Sequence, residues 1–272
     1  MSEAMASPLA ERHSKEQQGA SNILESAFPR FGPFVTVNVG RKFFQSWQFR
    51  CEQRTPEEYE TFYIYEKLAC RSSGFFRAAC NRYWKEGATR VIELPEDDPN
   101  IFALFVQWMF TGEYNKTDSS GPLFPCVILA VDVYILADKL DVPPLKDRAI
   151  DHIELICSKA PWFSLTYHSI IDKIYGNTPE GSPLRRLAVS QQINNSMKGG
   201  SEPKWLREGS PRPGSPVSDF YFDLACEKFR LTLRKMRLGD DQSIPTAGPC
   251  EFHVHGKEEY CKARDGATRK ET

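Results

Sequence analysis

The side chains with the greatest chemical reach lie near the C-terminus, in Cys250-Glu251-Phe252-His253-Val254-His255 followed by Cys261. Thiolate sulfur and imidazole nitrogen are the preferred zinc ligands. The pattern C-x2-H-x-H-x5-C supplies four of them, which closes a tetrahedral structural site with no open position for catalysis. The chain has only five histidines, so two of them beside two cysteines within twelve residues exceed chance. The spacing is not that of a common finger. A second reading therefore stays open, in which this is a tail whose Cys and His are incidental. Structural zinc is the one cofactor these residues suggest.

No other stretch offers a recognisable reaction centre. There is no nucleophile elbow, no P-loop, no GxGxxG after a strand and no HExxH. No catalytic residues can be named, and the expectation is a chain that is not an enzyme. Asp97-Asp98 stands at a helix start, where carboxylates serve as caps and dipole partners. The eight cysteines contain no CxxC and read mostly as reduced thiols. His152 shares a helical stripe with Leu145, Ala149 and Ile156, the usual setting of a packed histidine.

Composition limits the partners. With 35 basic and 36 acidic residues the net charge is −1, which exerts no bulk pull on nucleic acid or an anionic membrane. The longest apolar run, Cys126–Ala137, is interrupted by Asp132 and falls short of the ~20 residues a membrane helix needs. No secretory pattern opens the sequence. A soluble intracellular protein, cytoplasmic or nuclear, is expected.

The elements can be read in order. Residues 1–30 are Glu-, Gln-, Ser- and Lys-rich and read as a disordered tail. Phe34–Val39 is a strand whose valines alternate with polar residues, as on a half-buried sheet, and Gly40 closes it. Thr61–Tyr65 is its partner strand. Between them Phe43, Gln45, Trp47 and Phe49 alternate, either as a lengthened hairpin or as a protruding surface; Phe43, Phe44, Trp47 and Phe49 are the candidate interaction residues. Ser72-Ser73 starts a helix carrying Phe75 and Phe76. Val91–Leu94 is a short strand, and Asp98 caps a helix that Pro99 begins and Gly112 ends. Within it Ile101, Phe102, Leu104, Phe105, Trp108 and Met109 form a broad apolar face, a core helix buried from more than one side.

Four further helices are expected, over Pro125–Leu140, from Pro143, over Pro161–Tyr175 and over Leu184–Asn194. Residues 196–218 have the Gly/Ser/Pro content of a flexible linker. Asp219 then caps a C-terminal helix, residues 219–240, whose stripe of Phe222, Ala225, Phe229, Leu233 and Met236 should pack on the preceding helices. Its basic end complements the helix dipole.

Taken together, S-x-FF-x-AA (Ser73–Ala79), I-x-LP-x-DDP (Ile92–Pro99) and F-x-x-F-x-x-W-x-x-TG (Phe102–Gly112) resemble the BTB/POZ domain, in particular that of filamentous-fungal BTB proteins. The resemblance continues through Tyr134-Ile135-Leu136-Ala137-Asp138-Lys139-Leu140-Asp141-Val142-Pro143 and through Ile174-Tyr175-Gly176-Asn177-Thr178-Pro179-Glu180-Gly181-Ser182-Pro183-Leu184-Arg185-Arg186, over roughly half the chain. It implies an α+β fold, a small mixed sheet capped by a helical bundle, with the BTB domain over residues 31–160 and a helical extension over 161–195. The Cys/His segment, 249–262, is similar to one that often ends the fungal proteins.

The resemblance also implies a function. BTB domains form homodimers or BTB heterodimers with protein partners, or dock a cullin as substrate adaptors of ubiquitin ligases. An adaptor would carry a kelch or MATH domain, and none is read here. Two positions depart from the family: its Asp before the first strand is replaced near Pro33, and its His-Lys pair after the second strand by Tyr65-Glu66. The charged co-repressor pocket of the animal proteins is therefore not expected. The alternative is a transcriptional or chromatin regulator that contacts nucleic acid through the basic C-terminal helix or the Cys/His segment.

Overall fold

In the computed structural model, residues 32–40, 59–81, 85–114, 123–159, 165, 167–197, 212–238 and 250–254 are described. Among the described residues the fold is α+β, mostly helical, with one three-stranded mixed sheet. Its contacts divide the chain into two units, residues 1–116 with 139–142, and residues 117–138 with 143–272.

The first unit is built on β1 (Phe34–Gly40), the middle strand of the order β2-β1-β3. β2 (Tyr59–Tyr65) lies antiparallel to it, with Phe34 opposite Tyr65 and Gly40 opposite Tyr59. β3 (Val91–Leu94) lies parallel to it, with Thr36 opposite Val91 and Val39 opposite Leu94. A parallel neighbour requires a crossover. Three short helices supply it, α1 (Glu66–Ser72), α2 (Gly74–Ala79) and α3 (Lys85–Thr89).

All seven residues of β1 are buried, which corrects the half-buried strand expected from its alternation. The polar positions Thr36 and Asn38 are enclosed along with the valines. Burial of an amide is tolerable only when its hydrogen bonds are made. Asn38 Nδ2 donates to Glu93 Oε1 at 2.8 Å on one side, and Asn38 Oδ1 accepts from Thr61 Oγ1 at 3.0 Å on the other. One polar row thus crosses all three strands in register.

Ser73 caps α2, its Oγ accepting from Phe76 N–H at 3.1 Å. The same hydroxyl donates to the carbonyl of Leu140, and Phe75 N–H donates there as well at 3.2 Å. The next helix, α4 (Pro99–Thr111), has the expected ends: Asp98 Oδ1 accepts from Asn100 N–H at 2.7 Å, and Gly112 terminates it with φ 73°. Phe102 and Phe105 are its buried anchors. The Phe105 ring stacks on Phe76 at 6.0 Å and 5°, and Phe102 meets Phe62 edge-on at 4.9 Å. Ile101, Leu104, Trp108 and Met109 are partly exposed, so the most complete burial on the apolar face is at Phe102 and Phe105, while Phe110 faces outward.

The second unit contains α5 (Leu123–Lys139, its last residue counted with the first unit), α6 (Pro143–Lys159), α7 (His168–Asn177), α8 (Pro183–Met197) and α9 (Pro216–Leu238). On α6 the buried face is Leu145, Ala149, Ile150, Ile153 and Ile156; His152 lies beside it and is partly exposed, not packed within it. α7 begins at His168, seven residues later than Pro161, because Tyr167 is extended (ψ 136°). Trp162 and Phe163 lie outside the described residues.

α9 begins inside the expected linker. Ser215, not Asp219, is its cap, with Ser215 Oγ accepting from Ser218 N–H at 3.2 Å, and Pro216 occupies the first turn. The face of α9 turned to α7 and α8 carries Val217, Phe220 and Leu224. Phe220 meets Tyr175 edge-on at 5.7 Å, and Tyr175 Oη donates to Asp223 Oδ2 at 2.9 Å. The stripe expected to pack is the outward one: Phe222, Phe229 and Met236 are 68%, 64% and 77% exposed.

Candidate functional site

Of the proposed zinc ligands, Cys250 and His253 are described; His255 and Cys261 lie outside the described residues. Residues 250–254 turn tightly, with His253 N–H donating to the Cys250 carbonyl at 3.2 Å, and rest against α6. Phe252 is buried. His253 Nε2 lies 3.1 Å from Asp151 Oδ1, and Val254 N–H donates to Asp147 Oδ1 at 2.6 Å. Asp147 and Asp151 are four residues apart and so share one face of α6. The hydrogen bond to the Asp151 carboxylate raises the His253 pKa, burial opposes it, and the charges of Asp151, Asp147 and Glu154 raise it further.

This arrangement bears on metal binding. Asp151, against Nε2 of His253, stands where a hydrogen-bonded carboxylate commonly orients a ligating imidazole. The Cys250 thiol is partly exposed in the same turn. Two of the four proposed ligands, Cys250 and His253, thus share one turn. No group of three potential ligands occurs among them. Zinc there would supply a structural cross-link and no reactive water.

Sequence reasoning missed Asp147 and Asp151. An acidic pair on a helix is common, and nothing local ties it to a segment 102 residues further on. The candidate interaction residues Phe43, Phe44, Trp47 and Phe49 all lie outside the described residues.

The positions that depart from the BTB pattern do come together. Glu66 N–H donates to the Pro33 carbonyl at 3.0 Å, and the rings of Phe34 and Tyr65 are 4.4 Å apart. The Glu66 carboxylate lies 3.8 Å from Arg90 Nε with both side chains about a third exposed, an ion pair of little energetic weight. What stands at this spot is an aromatic contact with one loosely paired acid.

In the second unit Arg185 is buried. Its Nε donates to Thr178 Oγ1 at 3.2 Å, its Nη2 donates to the carbonyls of Tyr175 (2.9 Å) and Thr178, and its guanidinium lies 4.4 Å from the Tyr175 ring centroid. Carbonyl dipoles and a π face keep this charge solvated inside the protein. Burial and the neighbouring Asp223 raise the Tyr175 phenol, which stays neutral and holds α9 by its hydrogen bond. The N-T-P-E-G-S-P-L-R-R stretch is thus a structural lock between α7 and α8.

Nucleophiles are not activated at the described thiols that shift. Burial pushes Cys80 up to about 12 and Cys157 up to about 11, and raises Cys70 as well. A reactive cysteine requires the opposite displacement.

No helix among the described residues is long and apolar enough to cross a membrane. Compared with known proteins, the chain matches no protein-family model and no curated protein.

Proposed function

We propose that this chain is a protein-interaction module of the BTB/POZ type, which dimerises or docks a partner protein. The observation that carries the reading is the coincidence of motif order with topology. The hairpin β1–β2 is followed by short helices bearing S-x-FF-x-AA; a strand bearing I-x-LP returns parallel to β1; and the DDP turn caps a helix ending at W-x-x-TG. The motif residues each have a structural role that matches their type. Ser73 and Asp98 cap, Phe76 and Phe105 stack, and Gly112 supplies a left-handed turn. A cullin adaptor is the narrower form of the proposal.

Affinity purification of the intact protein from its host, with sedimentation of the purified chain, tests this reading. A homodimer, a co-purifying BTB protein or a cullin at near-stoichiometric yield is expected. A monomer at tens of micromolar with nothing above the tag-only control would overturn the reading. DNA binding that falls steeply with salt would favour the nucleic-acid regulator instead.

A further inference from the structure

Phe222, Cys226, Phe229, Leu233 and Met236 follow one another along α9 at spacings of 4, 3, 4 and 3 residues. That alternation keeps every member on one narrow seam and is the spacing by which two helices interlock. Three of the five are largely exposed and the other two partly so. Single exposed apolar residues are ordinary, but five in register on a 23-residue helix are not. The helix already satisfies its own unit through the opposite face, Val217, Phe220 and Leu224. Nothing among the described residues covers the seam.

We infer that this seam pairs antiparallel with the same seam of a second copy of the chain. The direction comes from charge. Asp219, Asp223 and Glu227 all precede residue 228, whereas Lys228, Arg230, Arg234, Lys235 and Arg237 occupy the rest of the helix. Parallel pairing would set the basic halves against each other. Antiparallel pairing sets each basic half beside an acidic one. With Phe229 on the two-fold axis, Phe222 faces Met236 of the second copy, Cys226 faces Leu233, and the exposed Asp219, on the same flank of the seam as Arg237, comes within a turn of it.

One surface thus complements itself, as a two-fold interface requires. An anionic membrane is a poorer match, because a helix lying on lipid carries cations along its whole polar face, and the first half of α9 is acidic. The seam runs about 21 Å, at ~1.5 Å per residue. An interface of that length is small, below ~1,200 Å², so association is weak and falls in the micromolar range. The inference does not rest on the BTB reading, which concerns the residues before 160.

Full-length protein decides the matter. Phe229→Glu should weaken self-association, read by sedimentation equilibrium, at least about tenfold, without lowering the melting temperature, since the side chain is exposed. Because the first unit can bring its own contact, the seam itself is read by cross-linking. Leu233→Cys, mildly oxidised, should give a covalent dimer in which native Cys226 of one copy is joined to the thiol introduced in the other. Seven residues along one helix separate the two sites by about 10 Å, too far for a link within a copy. Four outcomes would overturn the inference. The first is a Cys226–Cys226 link in the unmodified protein, which marks parallel pairing. The second is absence of the 226–233 link. The third is a 226–233 link that forms as readily with Phe229→Glu as without it. The fourth is a chain that stays monomeric yet binds phosphatidylserine vesicles through Phe229.

Discussion

Gly74 and Asp141 meet so closely that a Cβ on the glycine would fall 1.8 Å from Asp141 Oδ2 and 2.7 Å from its Cγ. Their backbones are joined as well, Gly74 N–H donating to the Asp141 carbonyl at 3.0 Å. Asp141 itself is held at φ 51°, a left-handed conformation that glycine adopts without strain. Gly74→Ala should therefore destabilise the protein by ~1–3 kcal/mol in urea unfolding, the usual cost of overpacking. Asp141→Gly should be tolerated alone and should restore most of the loss in the double variant. Losses that simply add would show that the clash is not the cause.

The aromatic stack of the first unit gives a graded prediction. Phe105 is fully buried between Phe76 and Phe102, so Phe105→Ala should cost ~3–5 kcal/mol. Trp108 leans on Phe105 at 6.4 Å but remains partly exposed, and Trp108→Ala should cost roughly 1–2 kcal/mol. Equal losses in the two melting curves would contradict this difference in burial.

The half-buried thiols Cys80 and Cys157 should be slow to alkylate. With Cys80 at about 12 and Cys157 at about 11, their thiolate fractions at pH 8 lie on the order of 100-fold or more below those of ordinary thiols. Peptide mapping after iodoacetamide should find both sites modified far more slowly in native protein than in urea. The linkage has a definite sign. Folding favours the protonated thiols, so their contribution is complete below the ordinary thiol range and declines as pH rises from about 9 toward the folded values. Alkylation at equal rates in both states would refute the burial.

Zinc at the C-terminal set is directly measurable. Purified protein should carry about one zinc per chain, release protons on loading and lose affinity as pH falls, because thiols and imidazoles must shed protons to bind. Asp151→Asn should weaken binding by about 10–100-fold, as expected for the partner that orients a ligating histidine. Metal-free protein after expression in zinc-supplemented medium would leave His253 as a docking residue alone.

The sequence announces features whose causes are local. Asp98, Pro99 and Gly112 sit at the ends of α4, and each acts within a turn of itself, so that helix could be placed to the residue. Features fixed by distant partners were hidden. Thr36 and Asn38 look like solvent-facing positions until Thr61 and Glu93, 23 and 55 residues from Asn38, arrive to bond it. α9 has apolar residues on two sides, and helical periodicity alone cannot say which side turns inward. The Tyr175–Asp223 bond, 48 residues apart, decides it. His253 stood out as a candidate because histidine is rare here, whereas Asp151 was one carboxylate among many.

The polar row across the sheet also bears on the order in which the chain assembles. β1 and β2 are a local pair and can zip as soon as both have left the ribosome, but β3 must return from 55 residues downstream to form the parallel ladder. Closing that larger loop costs more entropy and comes later. Until it closes, β1 presents a bare edge of V-T-V-N-V, the kind of surface that recruits strands from other nascent chains. In the finished sheet Asn38 ties the middle strand to both neighbours, and its bond to Glu93 can form only once β3 has joined the hairpin.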